Sequence, residues 1–290
     1  MKVYLAGMES ILNSYKDVKI KTTDNVFGTF FYQKNTTSLL NELAERKHEG
    51  LITIDSGAHS FFGYAGISSA THQQNADKSK MPDPDEYVER YFKWLKEHWE
   101  KFSYFVELDI QAIVGLDKVK QWRKRMKKEG LYEKCITVYH RCDEWKDYLD
   151  MLKDSQSKYV GLEGLRHGKM CVPYMKCLKT AYEKQVKVHG FALTNPSVAN
   201  EYPFYSIDST TWTSPVRYGT FFALNRFGSI VQKGPSKENY LDNDIPVDIF
   251  SIQKGPEAST AKLSHSAEKF REFERILTSM WEARGVKWQD

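Results

Sequence analysis

The 290-residue sequence predicts an α/β fold, a (β/α)8 barrel of the TIM type with insertions after the third and eighth strands, on three observations. Short runs of β-branched, aliphatic and aromatic residues recur eight times. Helix-patterned segments lie between most of them. Several of the runs stop on an acidic residue, a histidine or a glycine. Short apolar runs bounded in this way are strand signatures. Strands alternating with helices imply a parallel sheet with right-handed crossovers. Eight such units fit a barrel of about 250 residues. An open doubly wound sheet is the alternative, since a miscount of one or two weak strands would favour it.

The elements follow in chain order. KVYLAG at 2–7 is the first strand, VFGTFFY at 26–32 the second, and a short helix closes over 41–47. LITID at 51–55 is the third strand. Residues 63–83 are polar and rich in Gly, Ser and Asn, which predicts a long loop over the C-terminal face. A helix starting at Pro84, a residue suited to a first turn, carries Tyr87, Tyr91, Trp94, Leu95 and Trp99 at helical spacing. SYFVELD (103–109), CITVYH (135–140) and KYVGLEG (158–164) are strands four to six, with helices over 117–129, 144–153 and 169–184. VKVHGFAL (186–193) and FYSID (204–208) complete the eight. In the insertion 217–255, FFALN and SIVQK flank Arg226-Phe227-Gly228 as a hairpin. A last helix over 259–285 sets Phe270, Phe273, Ile276, Leu277 and Trp281 along one side. The whole of 1–290 reads as a single domain without internal repeats.

Bulk properties exclude more than they identify. A hydrophobic content of 41% and a charged content of 28% are ordinary for a globular chain. No run reaches the roughly 20 apolar residues of a membrane span, and the first residues lack a secretory pattern. Cys135, Cys142, Cys171 and Cys177 form no CxxC pair, so reduced thiols in a cytoplasm are expected, with no metal site. A net charge of +4 is too small to diagnose nucleic-acid binding. Its distribution is uneven, however. Lys118, Arg123, Arg125 and Lys127 crowd onto one helix, as a solvated face or as a patch that meets phosphates.

The strand ends carry the chemistry. In a barrel, the C-terminal strand ends build the active site. Here they are Asp55 in IDSGA, Asp109 in VELDI, His140 in VYHRC, Glu163 in GLEGL and Asp208 in SIDSTTW. Each taken singly has a bland reading too, as a turn residue, a cap, an ion-pair partner or a structural hydrogen-bonder. Several carboxylates at one mouth raise each other's proton affinity, so such a cluster points to acid–base, nucleophilic or metal chemistry.

DSGA at 55–58, KYVGLEGL at 158–165 and the segment HGFALTNPSVANEYPFYSIDSTTW ending at Trp212 resemble, in that order, the tRNA-guanine transglycosylase superfamily. The resemblance implies a barrel in which Asp208 is the nucleophile, Asp55 moves the proton of the leaving and incoming bases, and Asp109 reads the guanine edge. It places Ser56, Gly57, His140, Gly161, Leu162, Glu163 and His189 around the base, with the backbone of 161–163 reading its oxygen. Gly57 and Gly161 would let a planar base approach the main chain, and Phe61, Phe62 or Tyr64 would stack on it. Two features depart from the tRNA enzymes. No cysteine follows Cys177, so their zinc pattern is missing, and His140 stands where they read the base with glutamine. The chain therefore resembles most the short, zinc-less DNA 7-deazaguanine transglycosylases of bacteriophages. That implies DNA and a free 7-deazaguanine such as preQ0 as partners, with no cofactor. Alternatives are the same chemistry on tRNA, a non-catalytic base-binding barrel and a metal-dependent hydrolase.

Overall fold

Each predicted strand forms, and the helices between them force the strands to run parallel. A computed structural model describes residues 1–15, 17–66, 78–165, 169–193, 195–234 and 255–289. The strands are β1 (Lys2–Ala6), β2 (Asn25–Thr29), β3 (Ile52–Asp55), β4 (Tyr104–Val106), β5 (Cys135–Tyr139), β6 (Tyr159–Leu162), β7 (Lys187–Gly190) and β8 (Ser206–Ser209). They close into a barrel in chain order, every neighbouring pair parallel, with β8 returning to β1 in the register Tyr4↔Asp208. Closure decides against the open sheet. Several strands are shorter than their apolar runs, because the chain leaves the ladder at the mouth. β2 stops at Thr29, whose hydroxyl accepts the Phe31 N–H and turns Phe30–Tyr32 into a 3-10 segment.

Alternate residues of each strand face the two sides of the barrel wall. Tyr4, Ala6, Phe27, Val106, Ile136, Val138, Tyr159 and Tyr205 pack together inside. Val3, Leu5, Val26, Ile52, Ile54, Phe105, Val160, Leu162, Val188 and Ile207 belong to the core under the helices. Parity then places Asp55, His140, His189, Ser206 and Asp208 on the inner side. Asp55 and His140 are the last inward positions before their loops.

The helical layer comprises α1 (Met8–Ser14), α2 (Gln33–Glu45), α3 (Ala58–Tyr64), α4 (Pro84–Glu97), α5 (Gln111–Val114), α6 (Leu116–Lys128), α7 (Trp145–Asp154), α8 (Tyr174–Glu183) and α9 (Pro196–Glu201). α4 starts where Pro84 predicts, with the Asp83 carboxylate accepting the Glu86 N–H. It buries Tyr87, Tyr91, Trp94 and Leu95, but ends before Trp99, which lies in a separate 3-10 turn. The loop expected over 63–83 is partly helical at its start, since α3 runs to Tyr64. Residues 67–77 lie outside the described residues, as do 235–254 of the second insertion.

After β8 come α10 (Ser214–Tyr218) and the expected hairpin, with β9 (Phe221–Leu224) antiparallel to β10 (Ile230–Lys233). The last helix, α11 (Pro256–Ala283), buries Phe270, Phe273, Leu277 and Trp281. Its far end ties down the foot of the barrel. Glu274 accepts the Val3 N–H at 2.8 Å, the Met1 amino group reaches Thr278 at 3.0 Å, and the Trp281 indole N–H donates to the Ala199 carbonyl at 3.0 Å. No helix among the described residues is long and apolar enough to cross a membrane.

The basic helix is corrected in one respect. On α6 the residues Val119, Trp122, Arg123 and Met126 are buried. Arg123 is 7% exposed and holds Glu107 through two hydrogen bonds of 2.7 and 2.6 Å, so it does not meet a phosphate. Lys118 pairs with Asp85, Arg125 with Glu89 and Glu129, and Lys127 with Asp154. Asp85, Glu89 and Asp154 lie on the neighbouring helices α4 and α7, and Glu129 caps the end of α6 itself. Of the two readings of this helix, the exposed ion pairs of Lys118, Arg125 and Lys127 fit the solvated face, and the buried Arg123 fits neither.

Candidate active site at the barrel mouth

Asp55 ends β3, and the chain then turns at Gly57 with φ +87°, a left-handed conformation that only glycine adopts without strain. The turn brings the Gly57 N–H back to Asp55 Oδ2 at 2.9 Å, and the Thr29 hydroxyl of β2 donates to the same oxygen at 3.2 Å. Asp55 Oδ1 receives no hydrogen bond among the described residues. A Cβ on Gly57 would fall 2.8 Å from the Tyr87 hydroxyl and 2.9 Å from Phe31 Cβ. Gly57 therefore shapes the turn that aims Asp55, rather than giving a base access to the backbone as expected. Ser56 is fully buried, and its carbonyl accepts the Tyr87 hydroxyl at 2.7 Å.

Burial, followed by the charges of Asp109 and Asp208, pushes the Asp55 carboxyl up to about 7, against the opposing pull of Gly57 N–H and Thr29. Charges interact this strongly only at short range inside a low-dielectric mouth. Carboxylates from β3, β8 and the loop after β4 thus share one site, although Asp55 and Asp208 lie 153 positions apart in the sequence.

Asp208 is 8% exposed. Its Oδ1 accepts the Ala192 N–H at 2.8 Å and lies 3.1 Å from His189 Nε2, while Oδ2 receives no hydrogen bond among the described residues. His189 is fully buried, with Phe27 stacked on its ring at 5.4 Å.

Across the mouth, His140 stands between two acids. Its Nε2 lies 2.9 Å from Asp109 Oδ2 and its Nδ1 3.7 Å from Glu163 Oε2. Burial opposes the imidazolium, but the bonds to Asp109 and Glu163 outweigh it and draw the group up to about 10. Burial likewise opposes the Glu163 carboxylate, yet His140 and the Arg141 N–H together hold it below its usual range. The Asp143 carboxylate accepts the His140 N–H at 2.8 Å and fixes the turn.

At the end of β6, Gly161 faces inward and Glu163, just past the strand, reaches toward His140, whereas Leu162 faces the other way. Leu162 is buried under the helices and its carbonyl accepts the Phe191 N–H, while the Glu163 N–H is spent on the Tyr139 carbonyl. The backbone donor expected at 163 is therefore occupied by the sheet. Phe61 is fully buried against Tyr87 and cannot stack on a ligand. Phe62 lies at the mouth, 6.4 Å from the His140 ring. An aromatic missed in the sequence, Phe191, covers Gly161 so closely that a Cβ there would sit 2.3 Å from its ring. Thr29, Tyr159 and Ser206 were missed as well. Only inward parity along their strands marks them.

No group of three or more His, Cys, Asp or Glu side chains is arranged to hold a metal ion among the described residues. All four cysteines are free, Cys135 and Cys177 buried, Cys171 half-buried and Cys142 exposed. Fold and site together define a closed (β/α)8 barrel whose mouth carries three aspartates, a glutamate and two histidines in mutual contact or electrostatic reach. A scan against known protein families finds no match for this sequence, and a search of the curated proteins finds no significant one.

Proposed function

We propose that the chain is a base-exchange transglycosylase that replaces guanine in DNA with a free 7-deazaguanine base of the preQ0 kind. The observation that carries the reading is the division of labour between Asp55 and Asp208. One carboxyl has its proton affinity lifted to about 7, as a group that both gives and takes protons requires. The other has one oxygen held by two partners and the second without a hydrogen bond among the described residues.

Asp208 Oδ2 attacks the sugar C1′, the glycosidic bond breaks, and its electron pair leaves with the base, which Asp55 protonates. The aspartyl ester holds the sugar while bases exchange. Asp55 then takes the proton from the incoming base, whose nitrogen displaces Asp208. Two inversions retain the anomer, the logic of retaining glycosidases. Asp109 has one oxygen on His140 and offers the other to the N1 and amino hydrogens of a guanine edge. Phe62 and Phe191 supply aromatic surface, and base–aromatic stacking is worth about 1–3 kcal/mol. A base in a duplex must leave the stack to reach this mouth.

The test offers the protein labelled preQ0 or guanine with duplex DNA, single-stranded DNA or tRNA in turn. Label entering DNA supports the reading, and label entering only tRNA transfers it to the tRNA branch. Asp208→Ala abolishes exchange; normal turnover by that variant removes the nucleophile assignment. Activity lost to a chelator would favour the metal-dependent hydrolase instead.

A further inference from the structure

A polar string runs through the inside of the barrel beneath the nucleophile, and the exchange chemistry as derived above does not use it. The Tyr159 hydroxyl of β6 is hydrogen-bonded to Ser206 Oγ of β8. Ser206 Oγ lies 2.6 Å from His189 Nδ1 of β7, and His189 Nε2 lies 3.1 Å from Asp208 Oδ1. Tyr159, Ser206 and His189 each have zero exposure. Four polar side chains on three adjacent strands thus form a line ending on one carboxylate oxygen. In a core that supplies no water, each hydrogen must have one place to go.

The direction of the string follows from its ends. A carboxylate oxygen only accepts, so the His189–Asp208 contact requires the hydrogen on Nε2. A neutral ring then has a bare Nδ1, which must accept from Ser206, and Ser206 in turn accepts from Tyr159. Every member is satisfied in that direction. The reverse polarity, an imidazolium donating at both nitrogens, would turn the Ser206 hydrogen toward Tyr159 and the phenol hydrogen toward the neighbouring Tyr4 hydroxyl, and it would place a full positive charge on a ring with zero exposure. The stacked Phe27 ring, 5.4 Å away and 5° from parallel, fixes the plane of the imidazole.

We propose that His189 is a positioning residue for the nucleophile: the Tyr159–Ser206 string holds its imidazole as the Nε2–H tautomer, which ties down Asp208 Oδ1 together with the Ala192 N–H and makes Oδ2 the attacking atom. The catalytic part of this rests on the base-exchange reading, and the tautomer does not. Two donors on one oxygen stop the carboxylate from rotating about its Cβ–Cγ bond, which is the freedom an in-line attack on C1′ cannot tolerate. A misplacement of about 1 Å costs about 100-fold in rate.

The first measurement is the nitrogen NMR spectrum of the whole protein, its His189 signals assigned by their loss in His189→Gln. The expected result near neutral pH is a protonated Nε2 and a bare Nδ1. A signal from Nδ1–H, or from the imidazolium, overturns the string. The second is steady-state base exchange with labelled preQ0 and DNA. Glutamine places an amide N–H near the position of Nε2, whereas leucine fills the volume without a donor. His189→Leu should lose about 100-fold in kcat with KM for either substrate within about twofold, and His189→Gln should recover most of that loss. Ser206→Ala, a smaller change, should fall between them. Equal kcat for the folded Leu and Gln variants, checked by their melting temperatures, overturns the positioning role. If the wild-type protein exchanges no base on any polynucleotide, the base-exchange reading falls with the catalytic part of the proposal, and the nitrogen spectrum still decides the string.

Discussion

Asp55 shows how one residue's surroundings set its chemistry. In the unfolded chain an aspartate loses its proton near pH 4, and in the barrel mouth Asp55 loses it at about 7. The folded state therefore binds that proton more tightly, and stability on this residue's account falls as pH rises from about 4 to about 7. Asp55→Asn removes the penalty of the buried charge. Its melting temperature should rise relative to wild type by an increment that grows from pH 4.5 to pH 7.5 and then levels off. An increment independent of pH would place the raised affinity elsewhere. Exchange activity should at the same time disappear, and the wild-type rate should peak near pH 7, because one half-reaction needs Asp55 protonated and the other needs it ionised. His140 titrates in a different window. Drawn up to about 10, it adds stability that is complete below about 6.5 and is lost as pH climbs through 10, so the two groups are separable in one pH series.

At the scale of an element, α6 carries the sharpest contrast between neighbours on one helix. Arg123 faces Glu107 in the core, whereas Lys118 and Lys127 make exposed pairs at the surface. Arg123→Met leaves the Glu107 charge buried without its partner, and denaturant unfolding should show a loss of about 3–5 kcal/mol. Lys118→Ala and Lys127→Ala should each stay within about 1 kcal/mol of wild type, as exposed ion pairs do. If all three changes cost the same, the burial of Arg123 is not what distinguishes it. The spacing was legible in principle. Val119, Trp122, Arg123 and Met126 recur at three- and four-residue intervals, the pattern of a buried stripe. Counting the basic residues as one group hid the member that shares the stripe.

For the molecule as a whole, the last helix is part of the barrel rather than an appendage. α11 covers the hairpin with Phe270, and it holds the barrel's foot through Glu274, Thr278 and Trp281. Leu263, Phe270, Phe273 and Leu277 are almost fully buried along its length. A chain cut before Pro256 would expose this stripe and leave the Val3 N–H without its carboxylate. It should show no cooperative melt, and Trp281→Ala in the full chain should cost about 3–5 kcal/mol. A truncated chain that melts like wild type would make α11 dispensable.

The order of the eight strands, their parallel direction and the acidic or histidine residues at five of their ends were readable from local patterns alone. Apolar runs and helical spacing are properties of adjacent residues, and a barrel imposes them strand by strand. What waited for the tertiary structure was every relation between distant residues. Gly57 serves Asp55 rather than a base, Arg123 turns inward, Phe191 and not Phe61 reaches the mouth, and His189 joins Ser206 to Asp208. Closure of the barrel sets residues from different strands side by side, and their hydrogen bonds and mutual charges exist only once that closure has occurred.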